Sequence, residues 1–398
     1  MTTLTGDATT LGVVGGGQLG RMLAEAAAPL GVEVVVLDPT PDCPAAPVAR
    51  DQIVADFDDP DGVAALADRS DYLTFEIELA DPDLLERVGE EAGVAVHPRP
   101  ETLRTIQDKL VQKRRLREAG IPVPAFRAVD DADDLADAVD ELGSPVMLKA
   151  RQGGYDGRGN LPVAAGDDFE AALDSIGGAA MAEEMVDFDR ELSVIGVRGA
   201  PGGTGSESAA DPEPATTAFP PGENVHREEI LRTTVVPART GEATLDRARS
   251  VAADVLSVMA GRGVYGIELF EVDGEILVNE IAPRPHNSGH WTIEGAATSQ
   301  FEQHVRAVTG LPLGSTAIRG PTVMVNLLGD VEAPGPAALR GVEEVLASPG
   351  AHLHWYGKRE ARPLRKMGHV TVIPTDGGDR AALLTRARDL RDVVTFEE

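Results

Sequence analysis

The sequence predicts an α/β architecture over its first hundred residues and an α+β architecture beyond, in three parts with boundaries near 100 and 310. Three observations carry this prediction. Strand and helix signals alternate up to about residue 100, which suits a parallel sheet with helices on its faces. A helix then leads, past Gly120 and Pro122, into hairpins and glycine-rich turns. The tail from about 311 holds only short strands and two helices, enough for a small third domain.

The elements follow in order. Residues 11–15 read as an apolar strand, running into Gly-Gly-Gln-Leu-Gly and an alanine-rich helix to about Leu30. Further strands are expected at 32–37, 72–76 and 94–97. Pro100 opens a helix with Leu103, Ile106 and Leu110 at helical spacing, continuing to Gly120. Strands at 145–150 and 161–164 flank a glycine-rich turn, a helix covers 167–176, and a strand covers 191–198. Residues 199–222, rich in Gly, Ser, Pro and acid, read as an exposed loop insertion with no packing duty. An amphipathic helix at 245–259 precedes strands at 264–272 and 275–281, joined by the hairpin signal Asp273-Gly274. Tail strands are expected at 323–327 and 370–373.

Composition bounds the function. The 398 residues are 42% hydrophobic, which excludes a disordered chain. Lys+Arg total 36 against 66 Asp+Glu, and the net charge of −30 excludes nucleic acid and anionic membrane surfaces as partners. One cysteine, Cys43, permits neither an internal disulfide nor a cysteine-based zinc site, as expected in a reducing cytoplasm. No apolar run approaches the roughly 20 residues of a membrane helix, and residues 1–10 lack the basic start of a signal peptide. Only five of the basic residues are lysine: Lys109, Lys113, Lys149, Lys358 and Lys366. Scarce lysine and surplus acid suggest a halophilic, salt-filled cytoplasm, where a Debye length of about 3 Å screens carboxylate repulsion. The few lysines left are then expected where a compact ammonium charge is needed.

Several groups carry chemistry. Gly15-Gly16-Gly17-Gln18-Leu19-Gly20 fits G-x-G-x-x-G between a strand and a helix, and Asp38 ends the next strand about 20 residues on. The turn suits a dinucleotide, another phosphate, or a tight turn alone. Gly153, Gly154, Tyr155, Asp156, Gly157, Arg158 and Gly159 put four glycines in seven residues between two strands. Such a loop can fold over polyphosphate while Lys149, on the strand before it, reaches phosphate oxygens. Glu183, Glu184, Met185, Val186 and Glu191 could read an adenine edge and ribose hydroxyls, or be solvated acid. Glu268 and Glu280, with Asn279, are hard ligands suited to Mg²⁺ on phosphates. A strict two-residue turn, however, pairs Glu268 with Asn279 and sends Glu280 to the other face. The metal reading therefore requires a bulge or a longer loop. Arg284, His286, Asn287 and Ser288 form a loop suited to an anion, and Lys358, Arg365 and Lys366 form a second cationic cluster.

Taken in order, GQLGRM (17–22), GGYDGRG (153–159), ILRT (230–233), NEIAPR (279–284), HNSGHW (286–291) and HLHWYGK (352–358) resemble the N5-carboxyaminoimidazole ribonucleotide synthetase family of ATP-grasp enzymes. The resemblance runs from about 11 to 375, departing mainly in the insertion at 199–215 and at Gly222 and Glu223. It implies a Rossmann-like N-terminal domain, an ATP-grasp module and a small C-terminal domain. It also implies a cytoplasmic homodimer that carboxylates 5-aminoimidazole ribonucleotide with ATP and bicarbonate, using Mg²⁺ or Mn²⁺. Carried over by position, Lys109, Lys149, the 153–159 loop, Glu183 to Val186, Glu191, His226, Asn279 and Glu280 would hold ATP. Glu268 and Glu280 would hold the metal. Glu76, Tyr155, Arg158, Arg284, His286 and Asn287 would surround bicarbonate and the amine. Lys358 and Arg365, with the Gln18 and Leu19 amides, would bind the ribonucleotide phosphate. The alternatives are a formate-dependent ribonucleotide transformylase of the same fold and an NAD-dependent oxidoreductase.

Overall fold

The computed structural model describes residues 8–153, 159–201, 214–375 and 379–396. Tyr155 and Arg158, with Gly154, Asp156 and Gly157, lie outside the described residues.

The N-terminal layer is a five-stranded parallel sheet. Its strands are β1 (Thr9–Val14), β2 (Val32–Leu37), β3 (Asp51–Ile53), β4 (Tyr72–Phe75) and β5 (Ala95–Val96), in the order β3-β2-β1-β4-β5. The crossovers are α1 (Gln18–Ala27), α2 (Pro60–Ala67) and α3 (Pro82–Ala92). Apolar residues cover both sheet faces. Leu11, Val13, Val34 and Val36 pack with α1, and Val14, Val35, Leu37 and Phe75 pack with α2 and α3.

The single helix expected after Pro100 is two. α4 (Pro100–Gln107) ends at Asp108, whose φ of −106° and ψ of 106° are extended. The Asp108 carboxylate then accepts from the Leu110 and Val111 amides and caps α5 (Lys109–Glu118). A residue that can offer the backbone an alternative acceptor breaks a helix that apolar periodicity alone would continue.

A four-stranded antiparallel sheet comes next, in the order β6 (Phe126–Val129), β9 (Ala180–Glu184), β7 (Val146–Ala150), β8 (Asn160–Val163). α6 (Ala132–Leu142) and α7 (Phe169–Ile176) bury Leu135, Val139 and Ala172 against it.

The third sheet has nine strands. β10 (Arg190–Pro201) pairs with β11 (Pro214–Ala218) and β12 (Gly222–Arg227), and β12 pairs with β13 (Ile230–Val236). The 199–222 segment is therefore not a loop without packing duty. Its end forms β11, and Phe219 is fully buried edge-on against Trp291. An acidic, glycine-rich composition hid a short strand whose anchor is one aromatic residue. α8 (Glu242–Val258) packs Leu245, Ala248, Val251 and Val255 on the hairpin β14 (Gly263–Val272) and β15 (Glu275–Ala282). α9 (Thr292–Gly295) and α10 (Gln300–Thr309) follow.

The longer strands of the tail join the central sheet, and its two-residue strands pair among themselves in two small two-stranded sheets. β16 (Thr322–Leu328) joins β13 and so extends the same sheet. After the two-residue strands β17 (Gly335–Pro336) and β18 (Leu339–Arg340) comes α11 (Val342–Ala347). Then follow β19 (Ala351–Trp355), β20 (Glu360–Ala361), β21 (Lys366–Val372), α12 (Arg380–Val393) and β22 (Thr395–Phe396). β21 pairs with β16 and β19, so the HWYGK segment hangs from the edge of the central sheet.

Candidate active site

The hairpin β14–β15 turns tightly, Asp273 and Gly274 both having positive φ (50° and 78°), as a two-residue hairpin requires. From the turn the ladder pairs Val272 with Glu275 and Leu269 with Val278. It then slips by one residue, so that Glu268 pairs with Glu280 and Asn279 is the extra residue. The cause lies in the core. Ile276, Val278 and Ile281 enter one apolar cluster, and 278 and 281 can share a face only across a bulge. That bulge turns Glu280 out of the core to face Glu268, as the metal reading requires.

Enclosure in the cleft pushes the Glu268 carboxyl up to about 7, Glu280 and Glu191 adding to it while His226 and Lys366 oppose it. Enclosure would raise Glu280 too, but Lys109 at 2.7 Å, with Lys149 and His286 near, pulls it down to about 2. Two facing carboxylates with opposite shifts share a site. Among the described residues no three His, Cys, Asp or Glu side chains converge on one point. Two carboxylates and the Asn279 amide still suit Mg²⁺, which takes the rest of its octahedron from phosphate oxygens and water.

Three lysines line the other wall. Lys149 Nζ pairs with Glu183 and lies 3.5 Å from Asn279 Oδ1, linking the four-stranded sheet to the bulge. Glu183 is 2% exposed and so is not solvated acid. Burial would raise its carboxyl, but Lys113 and Lys149 hold it below the usual carboxylate range. Glu184 turns aside, accepting from the Ala125 amide at 2.8 Å, while Met185 is exposed. Glu191 hydrogen-bonds His226 Nδ1, and although burial opposes it, this contact raises the His226 pKa above its ordinary value.

The loop after β15 closes the cleft. Arg284 Nη2 pairs with Glu78 at 2.8 Å. His286 Nδ1 contacts Ser288 Oγ at 2.8 Å, and its Nε2 lies 3.6 Å from Glu268. Burial, reinforced by Arg284 and Lys366, depresses His286 to about 3, so the ring is neutral. Gln300 clamps this loop, accepting from the His286 amide and donating to the His286 carbonyl. Gly266 admits it, since a Cβ there would lie 2.4 Å from His286 Cβ. Both polar atoms of the Asn287 side-chain amide are buried without a hydrogen-bond partner in the protein.

The N-terminal turn is different. Gly16 N donates to Asp38 at 2.9 Å and Gly17 N to Glu76 at 2.6 Å. A Cβ on Gly16 would sit 2.4 Å from Cys43 Sγ. Burial lifts Glu76 to about 7, its Gly17 bond and Arg284 opposing. Asp38 is thus spent on the chain's own amides, which removes the ribose contact a dinucleotide would need. Gly17 caps α1 without a side-chain bond, leaving the Gln18 and Leu19 amides in its first turn. Against this turn lies the HWYGK segment. Tyr356 packs in one cluster with Leu19 and Met22, and the Gly357 Cα faces Arg21 Nη1. Lys358 Nζ donates to the Lys366 carbonyl at 2.6 Å, and Arg365 Nη1 to the Glu360 carbonyl at 2.9 Å.

The structure therefore brings Lys109, Lys149, Glu183, Asn279, Glu280, Glu268 and His286 into one network, with Arg284 and Asn287 at its edge. Glu78 and Gln300 lie outside what the sequence singles out, and Lys113 is singled out only as one of five lysines. Scarcity of lysine pointed to Lys113, but no spacing rule links it to Glu183, and Gln300 carries no sequence signal.

Comparison with known proteins identifies the family. The family models for the ribonucleotide synthetase preATP-grasp domain, the ATP-grasp domain and the phosphoribosylaminoimidazole carboxylase C-terminal domain match residues 8–107, 114–301 and 322–382. The N5-carboxyaminoimidazole ribonucleotide synthase of Brucella melitensis is 44% identical over 369 residues, 92% of this chain and 96% of that protein. The crystal structure of the Thermotoga maritima synthetase superimposes with a TM-score of 0.84 at 42% identity, covering 97% of this chain and 99% of that one. An Aspergillus clavatus synthase in complex with ADP and 5-aminoimidazole ribonucleotide gives 0.85 at 35% identity, covering 97% and 99%. With matches over nearly its whole length, the chain belongs to the N5-carboxyaminoimidazole ribonucleotide synthase family of ATP-grasp enzymes.

Proposed function

We propose that the chain carboxylates 5-aminoimidazole ribonucleotide with bicarbonate at the expense of ATP, giving the N5-carbamate, ADP and phosphate in purine biosynthesis. The observation that carries this is the bulge that sets Glu280 opposite Glu268 beside Lys109 and Lys149. Nothing in the relatives supports formate or a nicotinamide as the second reactant.

In this reading a bicarbonate oxygen attacks the γ-phosphorus, ADP leaves, and carboxyphosphate delivers its carboxyl group to the ribonucleotide amine with loss of phosphate. Mg²⁺ held by Glu268 and Glu280 would neutralise charge on the phosphates. Lys109 and Lys149 exchange their carboxylate partners for phosphate oxygens, and Arg284 and Asn287 hold bicarbonate beside them. His226 with Glu191, and the Glu183 to Val186 segment, hold the nucleoside. The roles proposed for Glu76, Tyr155 and Arg158 are at the bicarbonate and the amine, and that of the 153–159 loop is to keep water from a readily hydrolysed intermediate. Lys358 and Arg365, with the first turn of α1, hold the ribonucleotide phosphate.

Among the described residues no helix is long and apolar enough to cross a membrane. A cytoplasmic homodimer working at high salt completes the proposal, supported by the family and by the charge of −30. The test is ADP release in molar KCl, which should require both bicarbonate and the ribonucleotide. Substantial release with neither, or none with both, overturns the reading.

A further inference from the structure

Lys113 has no task in the mechanism above, yet it is 2% exposed and held by two different sheets. Its Nζ lies 2.7 Å from Glu183 Oε2, on β9 of the four-stranded sheet. The same Nζ donates at 3.0 Å to the carbonyl of Val278, on β15 of the nine-stranded sheet. Val278 is the last residue before the bulged Asn279, and the other oxygen of Glu183 holds Lys149. Lys109 and Lys113 are four residues apart on α5, hence on one helical face. One turn of helix therefore places an ammonium on Glu280 and another behind Val278. A buried lysine taken out of water is costly unless fully engaged, and this one is engaged across the nucleotide cleft.

We propose that Lys113 is a positioning residue for the nucleotide. It fixes the spacing between the two walls of the cleft at the bulge, and it keeps Glu183 oriented so that Lys149 faces the phosphates. This rests on the ATP reading above but not on the identity of the acceptor.

The test compares Lys113→Met with Lys113→Met/Glu183→Gln, reading ADP affinity by calorimetry, both KM values and Tm. Lys113→Met should weaken ADP binding and raise the ATP KM by roughly tenfold or more, with the ribonucleotide KM within about twofold. The double variant removes the buried carboxylate that Lys113→Met leaves half-paired, so its Tm should recover at least in part while the ATP KM stays high. If Lys113→Met does not fold, the double variant decides by comparison with Glu183→Gln alone, whose ATP KM it should exceed; equal values overturn the proposal. An unchanged ADP affinity, equal rises in both KM values, or recovery of the ATP KM together with Tm would reduce Lys113 to a packing role and overturn the proposal. The calorimetric arm needs no ribonucleotide. A failed carboxylation reading therefore shows as absent ADP release by the unmodified enzyme, and a failed Lys113 assignment as unchanged ADP affinity.

Discussion

Two regions of this molecule set carboxylates against nitrogen donors, and they use them in opposite ways. At the turn after β1, Asp38 and Glu76 take the amides of Gly16 and Gly17, so the first donors of a phosphate-like loop are already satisfied. In the cleft the donors are lysines, and their partners Glu280 and Glu183 are groups that a metal-bound nucleotide can displace or share. Backbone donors tied to fixed carboxylates make a rigid wall. Ammonium groups on flexible stems make a site that can change partners. A glycine pattern alone cannot tell these apart, and the neighbouring charges do.

The largest expected effect tests the cleft side. Glu280→Gln should cut ribonucleotide-dependent ADP release by about 100-fold or more, measured in a coupled assay. Residual activity near that of the unmodified enzyme would break the contrast. Next, Lys358→Ala should raise the ribonucleotide KM roughly tenfold while leaving the ATP KM within about twofold, a split read from initial rates. Equal rises would remove Lys358 from the phosphate site. On the rigid side, Gly16→Ala forces a methyl toward Cys43 and should cost about 1–3 kcal/mol in denaturant unfolding with the ATP KM unchanged. A raised ATP KM there would mean that the two regions are not separate.

The smallest effect concerns the joint between them. His304 accepts the Val264 amide at Nδ1, which leaves its Nε2–H to donate to Thr74 on β4. Burial depresses it to about 3, so the folded ring is neutral while the unfolded one protonates below about 6.5. Its contribution to stability is present above that pH and is lost as pH falls from about 6.5 toward 3. His304→Gln should therefore flatten the stability–pH curve by about 1.4 kcal/mol per pH unit between about pH 6 and 4, measured by urea unfolding. An unaltered slope would show that the ring titrates normally.

Much of this was legible in the sequence because it is local. The β1 turn, the Asp273-Gly274 hairpin and Lys149 before its glycine loop announce themselves by residue type and spacing, whereas Lys109 enters through the family resemblance. What was not legible depends on distant demands. Asp108 breaks the helix because its carboxylate caps α5, and Arg151 braces that carboxylate from the end of β7. β11 exists because Phe219 finds Trp291. Glu183 joins Lys113 across 70 positions, and the tail strands extend the central sheet because β13 has an open edge for β16. The cationic cluster near Lys358 was visible, but its seat against α1 came only through Tyr356.

The extra residue at Asn279 also changes how such a strand can be read. It shifts the alternation count by one, so the same strand is a core strand on its turn side and a ligand rack on the other. A relative lacking this extra residue would keep its glutamate opposite Glu268 on a straight strand, but would lose the amide that stands beside it.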